Sequence, residues 1–121
     1  MTSEELYGRL LKFAQRSIDL VKKLPKTVYN TEHGRQLTRS SGSPGANYIE
    51  AIEGSSKKEF INRLVICRKE SKESMHWLRL VRYANADYEE IVSECDLLIK
   101  EAGEFVKIFN SAILTSKRNA K

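Results

Sequence analysis

Residues 32–54 read EHGRQLTRSSGSPGANYIEAIEG, and the way this stretch is built decides the fold. Gly42, Pro44 and Gly45 argue against an unbroken helix, because a proline inside a helix removes one backbone donor and clashes with the preceding turn. Yet Leu37, Ser41, Ala46 (or Tyr48), Ile49 and Ile52 keep a helical step across it. Two readings are open: two helices with a loop between them, or one helix kinked near Pro44. In the second, the small residues let a neighbouring backbone approach closely. The kinked helix, over about 32–53 with Gly54 as its C-cap, is favoured.

On either side of this stretch the signals are plainer. Upstream, Leu6, Leu10, Phe13, Ala14, Leu20, Val21 and Leu24 recur at three- and four-residue steps, so a helix is expected over about 4–23. Thr2 and Glu5 are spaced as a capping box, Lys22 and Lys23 suit the last turn, and Pro25 stops it. Downstream, Ser56 and Glu59 make a second capping box ahead of a helix over about 57–83. Phe60, Leu64, Cys67, Ser71, Ser74, Leu78 and Val81 fall on one stripe of it. Ile66, Trp77 and Leu80 lie on the other side, flanked by Glu70 and Glu73, which implies a second packing partner: another helix or another subunit. A fourth helix is expected over about 88–115, opened by a third capping box of Asp87 and Glu90 and carrying Ile91, Cys95, Leu98, Ala102, Phe105, Phe109 and Ala112/Ile113 inward. The polar end from Ser116 to Lys121 is expected to fray. No alternating run or hairpin turn marks a strand. The expected fold is all-α: one antiparallel up-down-up-down four-helix bundle spanning residues 1–121.

Length and composition agree. At 121 residues, with 40% hydrophobic and 31% charged side chains, the chain suits one globular domain and is too apolar for disorder. Two cysteines exclude a disulfide scaffold, and both fall on core stripes, where a thiol behaves as a small hydrophobe. The opening MTSEELYGRL resembles neither a signal nor a transit peptide, and no apolar run is long enough to span a membrane. A cytoplasmic location is expected.

The net charge of +5 is unevenly placed. Residues 1–40 carry +4 and 57–82 carry +5, whereas 87–104 set Lys100 alone against seven acids. Such segregation suits a phosphate-bearing partner, and it suits contact between opposite faces of neighbouring subunits equally well. Arg68, Lys72, Arg79 and Arg82 fall within an 80° arc of the third helix, with Lys57 and Lys58 behind them. They are the candidate nucleic-acid-binding residues, although a solvated face looks the same.

Other chemistry finds less support. Glu73 and His76 have the Glu-x-x-His spacing of di-iron bundles, but its twin is missing, since no Glu lies three residues before His33. Neither metal nor cofactor is expected. Ser40, Ser41 and Ser43 lack a nucleophile elbow, and no phosphate-binding or dinucleotide fingerprint appears, so no catalytic residue is assigned. Gln36, Arg39, Ser41, Asn47, Glu50, Glu70 and Glu73 form a candidate structural polar network, in which Arg39 pairs with Glu70 or Glu73 across the second and third helices.

The pattern Gln36-Leu37-x-Arg39-Ser40-x-x-Ser43-x-x-x-Asn47-x-x-Glu50, followed by Glu70-x-x-Glu73-x-x-x-Trp77, resembles the family of 23S rRNA intervening-sequence proteins. The likeness covers nearly the whole chain. Near the kink this chain departs from the usual family form by one residue of spacing around the proline and lacks the glycine after Glu50. The resemblance implies an antiparallel four-helix bundle that assembles as a ring, typically a homopentamer, in the bacterial cytoplasm. It implies no established enzymatic activity, and an RNA- or DNA-binding role is the usual suggestion. A similar pentameric bundle is the accessory variability protein of diversity-generating retroelements, which partners a reverse transcriptase. An adaptor role is therefore the alternative expectation.

Overall fold

The computed structural model describes residues 1–54 and 56–119 and contains four helices, α1 (Ser3–Lys23), α2 (Val28–Glu53), α3 (Lys57–Ala84) and α4 (Glu89–Arg118), with no strand among the described residues. The start of α1 is fixed by the Thr2–Glu5 capping box: Glu5 N–H donates to Thr2 Oγ1 at 3.0 Å, and Thr2 N–H donates to Glu5 Oε1 at 2.8 Å. The Thr2 backbone donor, with the Thr2 side chain behind it, holds the Glu5 carboxyl below the usual carboxylate range.

The second helix opens earlier than its apolar step suggests. Thr27 is the N-cap and accepts from Asn30 N–H at 3.0 Å, so the first turn is set by capping rather than by hydrophobic periodicity. From there α2 runs through Pro44 without interruption, which removes the reading of two helices joined by a loop. Its inward face agrees with the expected step at Leu37, Ser41 and the Tyr48 alternative and departs from it elsewhere. Ile49, Ile52 and Ala46 are exposed, while Gly34, Leu37, Ser40, Ser41, Pro44, Gly45, Tyr48 and Ala51 are buried. Small side chains face the bundle because the neighbouring helices sit close. A Cβ on Gly34 would lie 3.2 Å from Val21 Cγ1.

Ser56 Oγ caps α3 by accepting from Glu59 N–H at 3.1 Å, and the expected stripe is buried from Leu64 to Val81. One member is added, since Glu70 is buried beside it. At α4 the expected Asp87–Glu90 box does not form. Tyr88 is the N-cap, without a side-chain hydrogen bond, and its own N–H donates to Asn85 O. Residues 85–87 are used up turning the chain, with the Asn85 amide donating to Val81 O at 2.8 Å to close α3. The other end of α4 lies beyond the expected 115: the helix continues to Arg118, and Lys57 Nζ donates to Asn119 O, while residues 120–121 of the end expected to fray lie outside the described residues.

Each of α1 and α3 packs against both α2 and α4. Contacts between neighbours run in opposite senses of residue number. Arg9, Arg16 and Lys23 of α1 meet Glu101, Glu94 and Glu90 of α4, and Ser40 and Pro44 of α2 meet Ser74 and Cys67 of α3. Adjacent helices are therefore antiparallel. Phe13 and Phe105 meet edge to face at 5.5 Å in the core, with Leu10, Leu20, Leu37, Leu64, Leu78, Leu98 and Phe109 around them, all essentially inaccessible. No helix is long and apolar enough to cross a membrane.

Candidate nucleic-acid interface

The six basic residues singled out on α3 do not form one uniform patch. Arg68 Nη1 donates to Asn110 Oδ1 of α4 at 2.7 Å, and Arg82 Nε reaches Asp96 Oδ1 of α4 at 2.7 Å. The Asp96 hydrogen bond, ahead of its charge, raises the Arg82 pKa. These two arginines strap α3 to α4. Lys57 holds the C-terminal end of α4 through Asn119. Lys58, Lys72 and Arg79 are exposed and enter no ion pair among the described residues. Of the six, these are the ones that neither a carboxylate nor a cross-helix hydrogen bond occupies among the described residues.

The acidic half of the charge pattern is spent largely inside the chain. Arg9 binds Glu101 at 2.6 Å and Glu104 at 3.1 Å, Arg16 binds Glu94 at 2.9 Å, and Lys23 binds Glu90 at 2.9 Å. The hydrogen bond to Glu101 comes first among the causes that raise the Arg9 pKa, and that to Glu90 raises Lys23 while lowering Glu90. The segment expected to present an acidic face is thus the partner of α1. Sequence reading missed this seam because which residues of α1 and α4 sit level depends on helix register, which spacing within one helix does not contain.

The polar set divides as well. Arg39 Nη1 donates to Glu70 Oε1 at 2.7 Å, its Nη2 pairs with Glu73, and its Nε donates to Gln36 Oε1 at 3.2 Å. Glu73 also accepts from Trp77 Nε1 at 3.0 Å, and the Trp77 ring stacks on His33 with centroids 5.7 Å apart. Trp77, assigned to the outer side of α3, is thereby half-buried against α2, while Ile66 remains exposed. The other three members lie apart. Ser41 donates to Thr38 O, Asn47 bonds Ser43 and accepts from Arg63 at 3.1 Å, and Glu50 is exposed. Of the Glu-x-x-His pair, Glu73 is occupied by Arg39 and Trp77, and the described residues hold no group of three metal-ligating side chains. Burial pushes the Cys67 and Cys95 thiols up to about 12, so neither is a thiolate near neutrality.

A second surface feature lies between α1 and α2, where Tyr7, Leu11 and Ala14 face Gly42, Gly45, Ala46 and Ile49 across a shallow groove. Leu11, Ile18, Ile49 and Ile52 are each more than 40% exposed, an unusual concentration of aliphatic surface for one seam.

The 23S rRNA-intervening sequence protein family model matches residues 3–108. The chain belongs to this family. A solved structure from Bacteroides thetaiotaomicron VPI-5482, a protein of unknown function from the S23 ribosomal protein family, is 30% identical and superposes with a TM-score of 0.79. The match covers 93% of this chain and 98% of that one. No curated protein matches.

Proposed function

We propose that the protein is a non-enzymatic, cytoplasmic, self-associating bundle that holds structured RNA or DNA against the basic surface of α3. The observation that carries this reading is the distribution of unspent charge. Glu90, Glu94, Glu101 and Glu104 are occupied by α1 and Asp96 by Arg82, whereas Lys58, Lys72 and Arg79 remain exposed without a carboxylate. A surface whose acids are neutralised internally attracts phosphate, and such binding weakens steeply with salt. The family name ties its members to ribosomal RNA, so a structured fragment of that RNA is the first ligand to test. Reversing Lys58, Lys72 and Arg79 to Glu is expected to remove most of the affinity in an anisotropy titration. Unchanged affinity would refute the surface.

The α1/α2 groove supports the assembly. Exposed Leu11, Ile18, Ile49 and Ile52 are stabilised when covered by apolar surface, and a further copy of the chain is the occupant proposed, in a ring of five. Light scattering is expected to give several times the 13.9 kDa chain mass, reduced to a single chain by Leu11→Asp with Ile49→Asp. The same seam favours the second reading, an adaptor that docks a protein such as a reverse transcriptase. A wild-type monomer that captures such an enzyme through this groove would favour it.

A further inference from the structure

The α3 cations have neighbours that the charge pattern of the sequence conceals. Lys100 is the lone base among the seven acids of residues 87–104, and Lys107 follows it by seven residues, so both project from one face of α4. Both are exposed, and neither enters an ion pair among the described residues. The cross-helix contacts give the register: Arg68 meets Asn110 and Arg82 meets Asp96. Counting inward from these two contacts places Lys72 level with Lys107, and Arg79 level with Lys100. At 100° per residue, Lys72 lies about 40° round α3 from Arg68, and Lys100 about 40° round α4 from Asp96. The four cations thus flank the α3/α4 groove in two rungs, separated by seven residues or about 10 Å at 1.5 Å per residue. The acids nearest this face, Asp96 and Glu104, are held by Arg82 and Arg9.

We propose that Lys72, Arg79, Lys100 and Lys107 form one two-helix surface that docks on the phosphate backbones of an A-form RNA duplex. This rests on the nucleic-acid-binding reading above and specifies its ligand and extent. Two packed helices, each about 10 Å across, present a face too broad for the B-DNA major groove of about 12 Å, which admits a single helix. The wide, shallow minor groove of A-form RNA is instead recognised by shape and by contacts to its backbone, which a broad rigid cationic face can make. On this face α3 carries no Phe or Trp; His76, between Lys72 and Arg79, sets its ring edge to face with Trp77, and exposed Tyr83 lies one turn beyond Arg79, so the single-strand probe tests stacking directly.

The test uses the full chain with three labelled probes of one sequence: an RNA duplex of about 16 base pairs, one of its strands alone, and the matching DNA duplex. The RNA duplex is expected to bind about ten-fold or more tighter than either alternative. Lys100→Glu with Lys107→Glu is expected to weaken it to a similar degree, while neutral Lys100→Gln with Lys107→Gln lowers the slope of log affinity against log salt by about two. Circular dichroism checks that each variant keeps its helices. Equal or tighter binding of the single strand or of DNA overturns the proposal, as does an α4 variant that binds like the wild type while Lys72→Glu with Arg79→Glu does not. In those cases nucleic-acid binding itself survives. Failure of all three probes at low salt overturns both.

Discussion

At Arg39 a single guanidinium joins two helices. It is half-exposed, but its partner Glu70 is only 7% exposed and lies on the inward stripe of α3. Removing one member of such a pair leaves the other uncompensated, and the loss is reduced here by the solvent that reaches Arg39. Arg39→Ala is expected to cost about 1–2 kcal/mol in urea denaturation, and Arg39→Lys part of that, because a lysine cannot reach Gln36, Glu70 and Glu73 together. An unchanged midpoint would contradict the role. The cysteines allow a second residue-scale prediction. Their folded pKa values lie above the unfolded thiol value, so their stabilising contribution is complete below that value and declines as the unfolded chain begins to ionise, above about pH 9. At pH 8 both should resist a thiol reagent until denaturant is added, then react together. Rapid reaction of the native protein would show that one of them is accessible. Arg39 with Glu70 or Glu73 was legible in the sequence because a charge beside apolar neighbours demands a partner. The buried amide pair of Asn30 and Asn85, bonded at 2.9 and 3.0 Å, was not, since neither asparagine sits in a pattern that reports the other.

Among the elements, the inward stripes of α1 and α4 were the most legible, because large side chains fill them and periodicity then reports burial. The second helix was read only partly in phase, holding at Leu37, Ser41 and Tyr48 and failing at Ala46, Ile49 and Ile52, for the opposite reason. Its buried side mixes Gly34, Ser40, Ser41, Pro44 and Gly45 with Leu37, Tyr48 and Ala51, while aliphatic Ile49 and Ile52 point outward, so hydrophobicity alone does not mark the buried face. Close packing chose small residues over apolar ones. This makes the glycines of α2 unequal. At Gly42 an added Cβ meets nothing within 4 Å, so Gly42→Ala should raise stability by about 0.5–1 kcal/mol through helix propensity. At Gly34 the same methyl lies 3.2 Å from Val21, and Gly34→Ala should gain less or lose. Equal effects in thermal unfolding would mean that α1 does not constrain α2 there. Residues 85–87 teach a related lesson: Asp87 and Glu90 have capping-box spacing, yet the turn after α3 delays the helix to Glu89 and leaves Glu90 to Lys23.

For the molecule as a whole, the sequence shows a −6 segment, and the fold shows where that charge goes. The α1–α4 seam consumes most of it, so the net positive charge is expressed outward from α3 and α4 rather than balanced across a dipolar particle. The same seam implies that α1 is held to α4 partly by ion pairs at the surface, which salt screens. Aliphatic side chains remain exposed at the α1/α2 seam, where a further copy of the chain is proposed to dock, and the two features are on different helices, so they are expected to separate by mutation. Leu11→Asp with Ile49→Asp should dissociate the assembly while leaving each chain its basic face, and loss of helix content on that change would contradict the groove's position outside the core. The most direct test of the central claim is the affinity of the wild-type protein for a structured ribosomal RNA fragment, measured by anisotropy from low to moderate salt. Log affinity should fall linearly with log salt, and reversing Lys58, Lys72 and Arg79 should remove most of the binding at low salt. Affinity that is independent of salt, or retained by the reversed variant, would contradict it.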